Sequence, residues 1–193
     1  MSRTKSQQVI LIATLLFAGW HLGSSFYIVA KARLAQYLIQ LSWEKSLETG
    51  QPVKPWEWAD TFPVARLKHK DSSLFILEGA SGRSLAFGPG LHSGLSSLAG
   101  EQKHIIIAGH RDTHFAFLEH VIVGDQFELE KQTDSSSKTY RVSEIRIVSE
   151  DDSSLLAGRF ADQLTLVTCY PFHGLTQNAD QRYVVIAHPV STS

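Results

Sequence analysis

From the N-terminus, the chain passes through three textures of apolar and polar residues. Residues 9–30, VILIATLLFAGWHLGSSFYIVA, contain no Lys, Arg, Asp or Glu. A helix needs about 20 such residues to cross the hydrocarbon core of a bilayer, so this stretch predicts a transmembrane helix. Its first half is strongly apolar, and His21, Gly23, Ser24 and Ser25 soften the second. In the next segment, KARLAQYLIQLSWEKSLETG, Leu34, Tyr37, Leu38 and Leu41 recur at helical spacing and Gly50 is a natural stop. That pattern predicts a stem helix leading out of the span. QPVKPWEWAD then breaks the period with Pro52 and Pro55, and Trp56 and Trp58 are expected to pack on the domain that follows, with the lipid interface as the alternative place for them.

From about residue 61 the pattern becomes short apolar runs punctuated by Gly, Ser, Asp and Pro. Strands are predicted at 62–68, 73–78, 84–87, 104–109, 126–131, 138–149, 163–169 and 182–188. So many short strands at loop-like spacing predict a closed or sandwiched all-β domain. One helical turn is expected around 114–121, SGLSSLAGEQ reads as a polar loop, and KQTDSSSK reads as a hairpin connection. The expected organisation is a cytoplasmic N-terminus (1–8), a transmembrane anchor (9–30), a stem helix with linker (31–58) and a β-domain (59–193).

Composition narrows the function classes. With 18 basic and 19 acidic residues the net charge is -1, without the basic excess of an electrostatic nucleic-acid binder. The single Cys excludes an intramolecular disulfide. Arg3 and Lys5 before the span favour a cytoplasmic N-terminus and an extracytoplasmic β-domain, although Lys31 and Arg33 follow the span. A cleaved signal peptide is the competing reading, since Ala30-Lys31-Ala32 fits a small-x-small site. The length of the apolar stretch and the lysine inside that box favour an uncleaved anchor.

Three segments carry candidate chemistry. In QLTLVTCYP, strand alternation puts Thr165, Val167 and Cys169 on one face and Leu164, Leu166 and Thr168 on the other. Pro171 ends that strand just beyond the thiol. A free Cys by itself is usually a packed one. In HIIIAGHRDTHF, an apolar strand runs into Gly109, whose backbone presents His110 at the strand exit. A catalytic thiol benefits from a nearby imidazolium, and a His is the natural acid for expelling an amine. In QRYVVIAH, Arg182 opens an apolar strand and offers N–H donors to a developing oxyanion. Each residue has a plain alternative: a packed thiol, a core histidine, a surface charge. A Cys, a His and an Arg, each at the end of an apolar strand, make a joint signal.

That signal has a familiar form. LTLVTCYPF resembles the sortase signature, a TLxTC strand ending in the nucleophilic cysteine. AGHRDTHFAFL is similar to that family's His segment and RYVVIA to its Arg strand, in the family's order. The GHRDT and TCYPF forms resemble class D enzymes, and WADTFPVARL with the long anchor resembles the proteobacterial branch. The resemblance covers roughly residues 59–190. It implies a closed eight-stranded β-barrel behind an N-terminal transmembrane helix, in a single-pass bacterial membrane protein. It implies a cysteine transpeptidase with Cys169, His110 and Arg182 as catalytic residues. Thr168 and Asp112 are substrate-site candidates, through backbone positioning and loop ordering. The implied partners are a protein with a C-terminal LPxTG-like sorting motif and an amine acceptor, such as a cell-wall precursor or a pilin lysine. No cofactor is implied. The chain departs from the pattern at His114, where an aromatic is expected, and in the polar HGLTQNADQ.

Two rivals stand beside this reading. His110 and His114 are four apart with His104 and His120 near, an imaginable zinc pair, but no Glu adjoins the first His as in zinc-protease helices. An anchored binding module with an inert, buried Cys is the other. Glu128, Glu130 and Glu144 flank the hairpin, and a charged surface face accounts for them without a metal.

Overall fold

The computed structural model describes residues 2–92, 104–132, 136–152, 162–173 and 179–190. Eight strands form in chain order: β1 (Pro63–His69), β2 (Ser72–Glu78), β3 (Gly90–Leu91), β4 (His104–Ala108), β5 (Gln126–Lys131), β6 (Ser137–Ser149), β7 (Gln163–Tyr170) and β8 (Gln181–Pro189). They close into a barrel in the order β1-β2-β3-β4-β7-β8-β6-β5. Closure leaves no strand edge to pair with another chain. Neighbours run antiparallel except β2–β3 and β4–β7.

Period-2 alternation fills the barrel. Leu67, Ile76, Ile105, Ile107, Phe127, Leu129, Tyr140, Val142, Leu164, Leu166, Val185 and Ala187 form one buried interior cluster. The alternate residues of β6, β7 and β8 build a second, smaller apolar cluster on the outside: Val148, Val184 and Ile186, with Val167 packed against them. The predicted faces of the cysteine strand are therefore the observed ones, with Leu164 and Leu166 inward and Val167 and Cys169 outward.

One strand is misplaced by the sequence pattern. Residues 84–87, expected to be extended, belong instead to a short helical turn, α2 (Gly82–Leu85), and the residues just past it. Ser81 caps this turn by accepting the Ser84 N–H at 3.3 Å, and the buried Ser84 hydroxyl donates to the Gly79 carbonyl at 3.0 Å. Local Ser hydrogen bonding outweighs the apolar Leu85-Ala86-Phe87 run. The eighth strand is β3, only two residues long. Gly90 lies so close to the preceding turn that a Cβ there would stand 2.3 Å from the Gly79 carbonyl oxygen. The expected turn near 114–121 is a 3-10 helix, Ala116–His120. β5 and β6 form the predicted hairpin, while the SGLSSLAGEQ stretch lies outside the described residues.

Before the barrel, one helix, α1 (Ser2–Thr49), is continuous across the boundary expected between span and stem. The chain divides into two compact units, Met1–Tyr37 and Leu38–Ser193. In the first, Val9, Ile10, Leu15, Leu16, Phe17, Trp20, Phe26 and Ile28 are all exposed. A helix that is apolar all round and at least 20 residues long is long and apolar enough to cross a membrane.

In the second unit, the end of α1 buries Ile39, Ser42, Trp43 and Ser46. Of the apolar residues at helical spacing, Leu34, Tyr37 and Leu41 are exposed and Leu38 is half-buried. Small serines let the chain fold back closely. The Ser46 hydroxyl accepts the Val53 N–H at 3.0 Å, and the Gln132 amide donates to the Ser46 carbonyl at 3.1 Å. Trp43 meets Phe75 of β2 with ring centroids 5.8 Å apart. Gly50 ends the helix as predicted, at φ +67° with its N–H on the Ser46 carbonyl at 3.0 Å. Trp56 packs edge-on against Phe87 at 5.0 Å, but Trp58 is 84% exposed and does not pack as expected.

Candidate active site

The parallel β4–β7 pair sets the first half of the site. Ala108 is level with Val167, and the Gly109 N–H donates to the Val167 carbonyl at 3.1 Å, carrying the ladder one residue past β4. His110 follows Gly109, two residues past the end of β4. Gly109 is fixed there by the ring of Phe115: a Cβ would lie 2.8 Å from it, and Phe115 is fully buried. His110 itself is exposed. Its carbonyl accepts the Phe115 N–H at 3.0 Å, closing the turn that turns the chain away from the sheet.

The antiparallel β7–β8 pair sets the second half. Cys169 is directly opposite Arg182, and residues directly opposite in a sheet project from the same face. Cys169 is half-buried. The Arg182 guanidinium is held from two strands. Nη2 donates to Glu150 Oε2 at 2.7 Å, while Nη1 donates to the carbonyls of Ala179 and Gln181 at 2.5 and 3.0 Å. Glu150 is itself placed by its N–H, which donates to the Asp180 carbonyl at 2.9 Å and so extends the β6–β8 ladder. Cys169 and Arg182 are therefore paired at one end of β7 and β8, on the face of Val167 and Val184, and His110 lies two residues past the same end of β4, the parallel neighbour of β7.

Thr168 faces the other way. It is 2% exposed and its hydroxyl donates to the Gly109 carbonyl at 2.7 Å. Asp112 is exposed and lies 3.4 Å from Nε of Arg111. Arg111, which the sequence reading passed over, is 7% exposed and donates from Nη1 to the Pro171 carbonyl at 2.8 Å. Glu150 was also missed. Nothing local marks it, because its partner is 32 residues away across β6–β8. For Arg111 a signal existed: a cation directly after His110, in a segment otherwise running into a buried turn.

The remaining histidines separate by environment. His104 is buried on β4, with Nε2 3.0 Å from Thr165 Oγ1 and 3.3 Å from Gln163 Nε2. Burial, and then the charge of His110, push the His114 imidazole below its ordinary value. Glu128 and Glu130 are engaged across strands by Lys68 and Arg66, and Glu144 by Arg146. An aromatic group adjoins the cysteine: Tyr170 and Tyr183 stack at 6.1 Å and Phe172 meets Tyr183 edge-on at 5.0 Å. Burial first, then Tyr170 and Glu119, push the Tyr183 phenol up. Glu119 also pairs with His173 at 3.0 Å.

A thiol paired with a guanidinium at one end of a closed barrel is an arrangement able to support acyl transfer through a thioester. The sortase domain profile matches residues 66–190. Sortase D of Bacillus subtilis (strain 168) is 33% identical over 122 residues, 63% of this chain and 60% of that relative. The chain thus spans under two thirds of that relative's length. Sortase A from Corynebacterium diphtheriae superposes with a TM-score of 0.62 at 30% identity, over 76% of this chain and 69% of that one. A Sortase D5 transpeptidase of Clostridium perfringens does so at 0.56 and 25% identity, over 67% and 80%. The chain belongs to the sortase family.

Proposed function

We propose that this chain is a membrane-anchored sortase-type transpeptidase whose nucleophile is Cys169. The observation that supports the reading is the pairing of Cys169 with Arg182 at the end of β7 and β8, with His110 two residues past the end of the neighbouring β4. Cys169 as thiolate attacks a backbone carbonyl within a C-terminal LPxTG-like sorting motif of a substrate protein. The carbonyl oxygen becomes an oxyanion, which the Arg182 guanidinium stabilises or aligns. His110 as imidazolium protonates the departing amine, and the intermediate collapses to a thioester. An incoming amine then attacks the thioester, neutral His110 accepts its proton and the sulfur leaves as thiolate, which restores the starting thiolate–imidazolium pair. The acceptor is an amine of a cell-wall precursor, a pilin lysine or another partner. Water in its place gives slow hydrolysis.

Thr168 and Asp112 serve this site indirectly, Thr168 by fixing the backbone between the two strand exits and Asp112 by ordering the turn after His110. Residues 9–30 anchor the protein in a bacterial membrane as a single pass, with residues 59–193 as an extracytoplasmic catalytic domain and residues 31–58 as stem. The test is partition of the acyl-enzyme. With a sorting-motif peptide, added triglycine or hydroxylamine should divert product from acid to amide or hydroxamate and, by replacing slow hydrolysis, should speed peptide consumption. Product that is acid alone, whatever amine is added, would mark a hydrolase and reject the transfer half of the proposal.

A further inference from the structure

We infer that Arg111 is a positioning residue, coupling the turn that carries His110 to the segment just beyond Cys169. The inference rests on the proposed roles of those two residues. Among the described residues, His110 and Cys169 share no side-chain hydrogen bond, so their mutual geometry is set through the backbone. Three links join the two strand exits. Two of them, the Gly109 N–H to the Val167 carbonyl at 3.1 Å and the Thr168 hydroxyl to the Gly109 carbonyl at 2.7 Å, end at Gly109, before His110. The third comes after it: Arg111 Nη1 donates to the Pro171 carbonyl at 2.8 Å. His110 and Cys169 are thus each bracketed between tied points, one pair on the β4 exit and one on the β7 exit.

The energetics agree with a role beyond filling space. Arg111 is 7% exposed, and withdrawing a guanidinium from water is costly unless its donors are satisfied. Its fixed fork reaches Pro171 without losing as much rotamer freedom per bond as a lysine would. Asp112, 3.4 Å from Nε, lies on the solvent side and is 69% exposed, so it screens the cation without competing for Pro171.

The test uses the full chain in detergent with wild type, Arg111→Met and Arg111→Lys. Two readouts are needed. The first is steady-state turnover of a sorting-motif peptide. The second is the shift of the His110 ring NMR signal when Cys169 is capped by a small thiosulfonate, the signal being assigned by its loss in His110→Ala. Arg111→Met should lower kcat roughly 10- to 100-fold at near-constant KM, since about 1 Å of misplacement costs this much. It should also at least halve the His110 response. Arg111→Lys should restore part of both. Wild-type kcat and a full His110 response in Arg111→Met, whatever its melting temperature, overturn the inference. If Arg111→Met does not fold, Arg111→Lys decides: a wild-type kcat and response there overturn it equally. If no peptide turns over in wild type, the transpeptidase reading fails, and the NMR response alone still decides the role of Arg111.

Discussion

Cys169 of β7 is directly opposite Arg182 of β8, and the Arg182 guanidinium is held in turn by Glu150, 2.7 Å away at the end of β6. The proposed nucleophile, its cation and the cation's anchor thus lie in three consecutive rows of one sheet. A thiol there is presented on a rigid ladder.

The first prediction concerns the arginine. Arg182→Ala should lower kcat about 100- to 1,000-fold, the usual cost of losing one oxyanion donor. Arg182→Lys should recover little, because an ammonium cannot reproduce the fork that bonds Glu150 and the Ala179 carbonyl together. Glu150→Gln keeps the shape but loses the ion pair, so an intermediate loss of about 10-fold is expected. Steady-state kinetics with a sorting-motif peptide measures all three. Equal kcat in wild type and Arg182→Ala would remove Arg182 from the chemistry.

Removing each of two neighbouring histidines should have unequal effects. His110→Ala is expected to lose nearly all turnover, whereas His114→Ala should keep most of it. His110 comes directly after the exit of β4 beside β7, whereas His114 lies four residues on, within the turn that the Phe115 N–H closes on the His110 carbonyl. Comparable losses at both positions would point to a shared proton path instead.

The lowered basicity of His114 has a stability consequence. Its native imidazole binds a proton only at lower pH than in the unfolded chain, where the ordinary value is about 6.5. The unfolded state therefore binds more protons in that window, and stability falls as pH drops from about 6.5 to the lowered native value. Below that value the loss levels off. His114→Gln should flatten this part of the curve. Denaturant midpoints at about pH 7.5 and pH 5.5 should differ less in the variant than in wild type. An identical difference would show that His114 does not titrate out of register between the two states.

Gly109 offers a packing test. Gly109→Ala places a methyl 2.8 Å from the buried Phe115 ring, and overpacking of this kind costs about 1–3 kcal/mol. Because His110 is the next residue, turnover should fall by more than the loss of folded protein explains. Thr168→Val removes the bond to the Gly109 carbonyl and leaves that buried oxygen short of a donor, a cost of about 1–3 kcal/mol. Chemical denaturation beside kinetics separates the two effects. A Gly109→Ala protein of wild-type stability would mean that Phe115 moves freely.

Much of this site was legible because its parts are strand ends. Alternation in QLTLVTC sorted Leu164 and Leu166 inward and Cys169 outward, and the barrel places them so. What periodicity could not supply was pairing. Nothing in the chain announces that β6 pairs β8 and thereby sets Glu150 against Arg182, since that contact depends on closure of the whole sheet. The 84–87 prediction failed because Ser81 and Ser84 bond locally, and apolar alternation over four residues does not outweigh such a cap. Helical spacing in the stem did not say which face packs. Leu34, Tyr37 and Leu41 share a helical face, but the fold-back at Gly50 needs small serines there and selects the face of Ile39, Ser42, Trp43 and Ser46.

The central claim is that Cys169 forms a thioester with a substrate acyl group. Intact-mass spectrometry of the full chain, quenched in acid after mixing with a panel of LPxTG-like peptides, tests it most directly. The account predicts an adduct equal to the peptide's acyl portion, mapped to Cys169, labile to hydroxylamine and missing in a folded Cys169→Ala variant. Peptide cleavage that persists in Cys169→Ala, or an adduct on any other residue, would contradict it.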